Sequence, residues 1–240
     1  MHYTSTILFF LLSFSSVSAQ LGYLGYGYRW NFSPLEGENA FIEDYNALRP
    51  WLDKEMEELK SVNGFGISGG LGANSVWLGF DWFGRKNMTY ATGLEPSTST
   101  NVERELLIRN NVTNINVGVA TGDQAMGITF GLQSSIVTQK VKTRVYAVGD
   151  DKGEWEEPAD NYLNVSLGPA MNLLVMVSKE APIAINLHVA YTWGVFATNW
   201  GKLDEEINGT NYNYEDYPDK FNSIPNYFSF GLGIWLFFLQ

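Results

Sequence analysis

The C-terminal stretch, residues 226–239, decides the fold and reads NYFSFGLGIWLFFL. Every second position in it is large and apolar, namely Phe228, Phe230, Leu232, Ile234, Leu236 and Phe238. The positions between them include Ser229, Gly231 and Gly233, which are small. Alternation with a period of two is typical of a β-strand that has one apolar face. This segment is therefore predicted to be a strand with one bulky face and one small face.

Seven earlier segments repeat the alternation, so the sequence predicts eight strands. They are 21–32, 64–72, 75–94, 102–120, 125–147, 161–177, 182–198 and 226–239. The links between strands alternate between short and long. The short links are 73–74, 121–124 and 178–181, and the long links are 33–63, 95–101, 148–160 and 199–225.

The small face of these strands distinguishes a soluble sandwich from a membrane barrel. A sandwich exposes its second face to water, and that face should be rich in charged residues. Here the second face is mostly Gly, Ser, Asn, Thr and Ala, and 17% of the chain is charged, against about 25% in soluble domains. A transmembrane barrel instead turns its apolar face to lipid. We therefore predict an all-β fold, an eight-stranded antiparallel up-and-down transmembrane β-barrel, with short periplasmic turns, long extracellular loops and both termini periplasmic.

Residues 1–19 are predicted to be a secretory signal peptide, and residues 20–240 to form the barrel. The first 19 residues contain no Asp, Glu, Lys or Arg and end in Val17-Ser18-Ala19, a suitable cleavage sequence. The chain contains no Cys, which excludes disulfides and Cys-based metal sites. Its net charge of −11 argues against nucleic acid as a partner.

Residues 38–60, in the first long loop, break the period of two. Their apolar residues follow helical spacing, at Phe41, Tyr45, Leu48, Leu52, Met56 and Leu59. We predict an amphipathic helix with an acidic polar face. Because proline inside a helix costs about 3 kcal/mol, a break at Pro50 is favoured, with Pro50 opening a second short helix. The helix is interpreted as a cap on the barrel mouth, with docking to a protein partner and plugging of the lumen as alternatives.

The predicted lumen contains a candidate polar network of Arg29, Asp81, Arg85 and His188. Other polar residues on luminal positions are Gln133, Asn164, Asn172 and Asn186. Charges inside a narrow barrel are costly unless they are paired. We therefore expect a structural ion pair between Asp81 and either Arg29 or Arg85, with a gated conduction path as the alternative.

No catalytic, cofactor or metal site is predicted. Counting back through the turn at 178–181 places His188 near Asn172, which is an amide and not an acid. The sequence suggests no Ser-His-Asp set and contains no metal-ligand spacing, phosphate loop or nucleotide fingerprint. The protein is therefore predicted not to be an enzyme.

Five basic residues share the outward parity of three neighbouring strands, above the apolar band. They are Lys86, Arg109, Lys140, Lys142 and Arg144. One interpretation is contact with lipopolysaccharide phosphates. The alternative is internal pairing, because folding about 121–124 sets Lys140 beside Glu105 and Lys142 beside Glu103.

The leader ending Ser-Ala-Gln, the eight amphipathic strands and the aromatic last strand resemble small outer-membrane β-barrels of the OmpA-type transmembrane domain class, particularly those of Bacteroidota. The last strand is also similar to the signal read by the barrel-assembly machinery, with Gly233, Leu236 and Phe238 at the expected spacing. The resemblance implies residence in the bacterial outer membrane, in contact with lipid and lipopolysaccharide.

The function expected of such a barrel is a structural or interaction role carried by its extracellular loops, as an accessory subunit of an outer-membrane assembly. A protein partner would meet the first-loop helix or the acidic loops around 150–160 and 204–219. A small pore or transporter for a minor solute is the first alternative, and a lipid-modifying enzyme is the second.

Overall fold

The computed structural model describes residues 21–73, 75–122, 126–159, 162–178, 181–210 and 218–238. The predicted signal peptide, residues 1–19, lies outside these ranges. Within them, no helix is both long enough and apolar enough to cross a membrane.

The chain is built mainly from long β-strands. In chain order the strands are β1 (Leu21–Phe32), β2 (Leu52–Lys54), β3 (Val62–Ala73), β4 (Val76–Glu95), β5 (Thr100–Gly122), β6 (Met126–Ala147), β7 (Tyr162–Met176), β8 (Ile183–Gly194), β9 (Thr198–Asn199), β10 (Asn222–Ser223) and β11 (Tyr227–Phe238). The helices are α1 (Glu36–Ala47), α2 (Gly201–Asn208) and a short 3₁₀ helix at Asp219–Phe221.

Eight of these strands form a closed antiparallel barrel. Their order around the ring is β4-β3-β1-β11-β8-β7-β6-β5, and β5 pairs back onto β4. The first and last strands pair from Gly22–Phe238 to Phe32–Phe228. Over the height of the ring every strand thus has a neighbour on both sides, which leaves the ring itself without a free edge. The predicted eight-stranded barrel is confirmed.

Strand parity sorts the side chains as the alternation predicts. Each barrel strand exposes apolar residues on the outside, for example Leu24, Ile67, Phe80, Val117, Leu132, Leu167, Ile185 and Ile234. The inside is tight, and at Gly231 a Cβ atom would collide with the Arg29 guanidinium. Exposure of a continuous apolar belt of this kind to water is unfavourable, whereas contact with hydrocarbon is favourable.

β5 and β6 are much longer than a membrane crossing requires. They have 23 and 22 residues, whereas about 9 to 11 residues cross the hydrocarbon. Their upper halves, together with that of β4, form a wall above one end of the barrel. We call this the loop end, and the opposite end, where 73–76 and 122–126 join neighbouring strands, the turn end. Both described ends of the chain, Leu21 and Phe238, lie at the turn end.

The predicted helix at 38–60 is wrong in its second half. Helix α1 ends at Ala47, and Pro50 opens no helix. Instead β2 pairs with β4 at Leu52–Gly93, because β3 leaves β4 above Phe83 and exposes that part of its edge.

Two side chains of α1 hold the following segment in an extended form. Asn46 accepts a hydrogen bond from the Met56 amide at 3.0 Å and donates one to its carbonyl at 3.0 Å. Asn39 does the same with Leu59, at 2.8 and 3.1 Å. Since these backbone groups are already satisfied, a second helical turn has no advantage there.

Candidate functional site

The charged centre of the lumen is an ion pair between β1 and β4. Arg29 Nη2 lies 3.6 Å from Asp81 Oδ2, and both side chains are buried. Asp81 also accepts a hydrogen bond from Asn116 Nδ2 at 2.9 Å. The Arg29 guanidinium lies 5.8 Å from the ring of Phe83. These contacts place the two buried, opposite charges beside each other, as the pairing of charges inside a narrow barrel requires.

Arg85 lies higher in the lumen and does not share Asp81. With its amide oxygen turned toward the guanidinium, Asn31 accepts hydrogen bonds from Arg85 Nη1 at 3.0 Å and Nη2 at 3.3 Å. The amide nitrogen of Asn31 then donates to Ser229. Of the two expected partners for Asp81, the structure therefore selects Arg29.

His188 faces amides and hydroxyls. Its Nδ1 lies 2.9 Å from Asn172 Oδ1, and Asn172 donates to Thr129 Oγ1 at 2.9 Å. Of the other expected luminal residues, Gln133 donates to Ser135 at 3.0 Å, Asn164 donates to Gln139 at 3.1 Å, and Asn186 is buried. The described hydrogen-bond partner of His188 is thus an amide and not a carboxylate.

Two small cavities lie among the side chains of the described lumen. The cavity beside Arg29 and Asp81 has a volume of about 20 Å³. A second, between Arg85, Gln133 and Tyr227, has about 10 Å³. One water needs roughly 10 to 15 Å³. Each of these two cavities is therefore about as large as one or two water molecules.

Three stacked aromatic rings close the lumen at the turn end. Tyr23 lies 4.0 Å from Trp235 and 4.5 Å from Trp77, measured between ring centroids, and the two indoles are 5.2 Å apart. Leu174 and Ala184 complete the cluster. We call these five residues the aromatic plug. Sequence reasoning missed it, although large aromatic residues on an otherwise small face were the available signal.

Helices from two distant loops close the loop end. Helix α1, helix α2 and the 3₁₀ helix pack together on the wall of β4–β6, and we call this assembly the loop cap. Its buried apolar residues are Phe41, Ile42, Tyr45, Trp200, Leu203 and Phe221, against Leu106, Ile108 and Val141 of the wall. Among the interpretations of the first-loop helix, the structure has it packed over the barrel mouth and not inserted as a luminal plug.

A buried carboxylate joins the loop cap to the barrel. Glu38 on α1 is 3% exposed and accepts hydrogen bonds from Ser223 Oγ at 2.7 Å and from Gln139 Nε2 at 3.3 Å. Gln139 is a luminal residue of β6. Burial raises the pKa of Glu38 above its usual range, and these hydrogen bonds offset only part of that effect. Sequence reasoning missed Glu38, because its helix is rich in exposed acidic residues.

Arg49 joins the two loops of the cap. Its Nη1 donates to Asn208 Oδ1 at 2.7 Å, and its Nη2 donates to the Ile207 carbonyl at the end of α2 at 3.2 Å. The guanidinium also lies 3.9 Å from the centre of the Tyr45 ring. A cation at a helix C-terminus is favourable, so Arg49 is a second polar contact that fixes the cap.

The expected cross-strand ion pairs of Lys140 and Lys142 are wrong. The register places Lys140 opposite Arg109 and Lys142 opposite Leu107. β5 continues to Gly122, which pairs with Gly127, so the turn falls two residues later than predicted and the opposing residues shift by four.

Acidic residues nevertheless bind most of the basic cluster. Glu157 of the β6–β7 loop binds Lys140 Nζ at 2.6 Å and Lys142 Nζ at 2.8 Å. These two ammonium groups lower the pKa of Glu157 to about 2. Arg144 and Lys152 both bind the buried Glu105, each at 2.6 Å. Lys86 and Arg109 form no ion pair with any residue in the described ranges.

The described residues contain no group of three or more His, Asp or Glu placed to hold a metal ion. The functional features of the structure are therefore the packed lumen, its two closures and the charged outer surface near the loop end.

No protein-family model and no curated protein matches the sequence. Among solved structures, the chain is similar to the attachment invasion locus protein Ail of Yersinia pestis, with 9% identity and a TM-score of 0.40 over 92% of this chain and 99% of that one. It is similar to the N-terminal β-barrel domain of Pseudomonas aeruginosa OprF, with 9% identity and a TM-score of 0.39 over 92% and 98%. It is also similar to the outer membrane protein OprG of Pseudomonas aeruginosa, with 9% identity and a TM-score of 0.40 over 93% of this chain and 98% of that one. Likeness at this level carries no argument about family or activity.

Proposed function

We propose that the protein is an integral barrel of a bacterial outer membrane that conducts no solute, catalyses no reaction and acts through its loop cap. The observation that carries this proposal is the double closure of the lumen. The aromatic plug closes the turn end, the loop cap closes the loop end, and water-sized cavities lie between them. A solute path would need a connected lumen, as in wider barrels.

The outer membrane is proposed as the location because the apolar belt covers all eight strands and the barrel has no free edge. In this orientation the short turns and both termini face the periplasm, and the loop cap lies outside the cell. The last strand carries the pattern Gly233, Leu236 and Phe238, and we propose that the barrel-assembly machinery reads it during insertion. The proposed lipid surroundings are outer-membrane lipid and lipopolysaccharide.

We propose that the cap is an interaction surface for a protein partner, as in an accessory subunit of an outer-membrane assembly. The outer surface of the cap and of the segment after β2 is acidic, with Glu36, Glu43, Glu55, Glu57, Glu58 and Glu206 exposed. The β6–β7 loop adds Asp150, Asp151 and Glu154. A partner with a basic surface would associate quickly with such a face, and the association rate would fall with salt.

Conductance in planar lipid bilayers tests the closed lumen. We expect the folded protein to insert without steady current, because the aromatic plug and the loop cap close the two ends of the described lumen. A steady current that is reduced by Arg29→Ala or Asp81→Asn would contradict this proposal and favour a small pore. Heat-modifiability on gels, with a band shift on boiling, serves as the control for correct folding of each variant.

A separate assay tests the absence of catalysis. Outer-membrane lipid incubated with the purified protein should remain unhydrolysed and should not be acylated. Turnover that disappears in His188→Ala would contradict the proposal, since His188 is the one described histidine of the lumen.

A further inference from the structure

The outward face of the barrel carries a row of three cations that the register places side by side. Lys86 lies opposite Arg109, and Arg109 lies opposite Lys140. We call Lys86, Arg109 and Lys140 the basic row. Residues directly opposite each other have Cβ atoms about 5 Å apart, and like charges at that distance destabilise a sheet. The row therefore needs a counter-anion.

The protein supplies only part of that counter-charge. In the described ranges Lys86 and Arg109 have no ion pair, and Lys140 shares Glu157 with Lys142. Glu157 is exposed and belongs to a loop that folds back onto β6 through the Thr143–Glu156 bridge. Each of its carboxylate oxygens meets one ammonium group. An anion with several oxygens thus fits beside these lysines, and the Glu157 carboxylate already binds at the position next to Lys140 and Lys142.

The depth of the basic row matches a lipid headgroup. It lies roughly ten residues of strand above the turn end, counted from Val76 on β4. Ten residues rise about 34 Å along a strand, or about 26 Å across the membrane at a tilt near 40°. The apolar band of an outer-membrane barrel is about 25 Å tall. Directly below the row lie Gly84, Asn111 and Thr138, and below them Trp82 and Ile136 on the apolar surface.

The side chains of the row suit phosphate. Arg109 stands between the two lysines and offers a planar fork that binds two phosphate oxygens at once. The aliphatic stems of Lys86 and Lys140 can lie along the apolar surface while their ammonium groups stay at headgroup level. Two other basic residues near the loop end, Arg144 and Lys152, are less available, since both bind the buried Glu105.

We propose that Lys86, Arg109 and Lys140 form a binding site for the phosphate groups of a phosphorylated glycolipid, of the lipid A type, in the membrane leaflet at the loop end. The inference rests on the proposed outer-membrane orientation. In the absence of lipid, Glu157 competes for the Lys140 end of the site, and lipid phosphate displaces it.

The test uses the full folded protein in detergent and measures lipid A binding by native mass spectrometry and by lipid-dependent thermal stabilisation. The triple variant Lys86→Gln, Arg109→Gln, Lys140→Gln should lose affinity on the order of a hundredfold, since each interfacial cation contributes about fivefold. The matched control removes the same charge from other positions near the loop end, as Lys54→Gln, Lys60→Gln, Lys220→Gln, and should bind within about twofold of the unaltered protein. Glu157→Gln should bind severalfold more tightly. The single variant Arg109→Gln covers the case in which the triple variant fails to fold.

Two further probes separate the sources of the anion. Dephosphorylated lipid A should bind the unaltered protein as weakly as lipid A binds the triple variant. Inorganic phosphate should give no stabilisation at concentrations where lipid A saturates, and equal stabilisation would show an ion site that needs no lipid. Equal binding of lipid A to the triple variant and the control would overturn the site. Bilayer conductance is independent of these results. A conducting barrel would contradict the proposal of a closed lumen and would leave the proposal of a phosphate site at the basic row unaffected.

Discussion

The two ends of the barrel are both closed, but by different kinds of structure. At the turn end, the rings of Tyr23, Trp77 and Trp235 project from the barrel strands themselves and stack on one another. At the loop end, α1 and α2 come from loops far apart in the chain and meet on the wall of β4–β6. The plug is therefore part of the barrel core, whereas the cap is a second core built on top of it.

The inward face of β5 lines the lumen and also packs against the cap, because its residues change from polar to apolar toward the loop end. In the lumen, inward positions of β5 such as Asn116 and Asn114 are polar. Above the lumen, the inward positions Ile108 and Leu106 are apolar and buried against the cap. We therefore expect the cap to open without unfolding of the barrel, and the plug to open only when the barrel unfolds.

The largest expected effect comes from removing a ring of the plug. Trp235→Ala should destabilise the folded barrel by about 3 to 5 kcal/mol, because it deletes a buried indole and leaves a cavity at the turn end. The measurement is urea unfolding followed by heat-modifiability on gels. Trp193→Ala is the matched control, since Trp193 is 54% exposed on the outer face. Equal losses in the two variants would mean that the plug adds nothing beyond ordinary burial.

A smaller and more local effect is expected at the cap. Glu38→Ala removes the shared acceptor of Ser223 and Gln139 in a buried place, which should cost about 2 kcal/mol in cap closure. Hydrogen exchange of the α1 amides measures that opening, and Glu43→Ala on the exposed face of α1 is the control. The urea midpoint of the barrel should stay unchanged. A parallel fall of both quantities would contradict the separation of cap and barrel.

The contrast between the two ends also explains what the sequence could predict. The eight strands followed from alternation alone, because one residue of slip in a lipid-facing strand would expose every polar side chain to hydrocarbon. The ion pair of Asp81 and the neighbour of His188 could be placed from the same parity. The β5–β6 register was missed because Gly122 and Gly127 allow the strands to continue where a turn was expected.

The cap was harder to predict because tertiary contacts override local pattern there. The apolar spacing from Leu48 to Leu59 is helical, yet the free edge of β4 and the side chains of Asn39 and Asn46 hold that segment extended. Glu38 and Glu43 are both acidic residues of one helix, and only the packing of a second loop makes one of them buried. Such burial depends on contacts across 185 residues of chain.

The smallest effect is a pH dependence of cap closure. Because burial raises the pKa of Glu38 in the closed cap, the closed state binds protons more tightly than an open state, in which the pKa returns to about 4.3. Protonation of Glu38 therefore stabilises the closed cap fully below about pH 4.3. This stabilisation is lost as the pH rises through the higher pKa of the closed state, at no more than about 1.4 kcal/mol per pH unit. Exchange protection of α1 should thus increase on acidification. Glu38→Gln, which cannot titrate, should remove that increase when the two proteins are compared at each pH, so intrinsic exchange rates cancel. An identical pH profile in both proteins would show that Glu38 does not carry the pH dependence of cap closure.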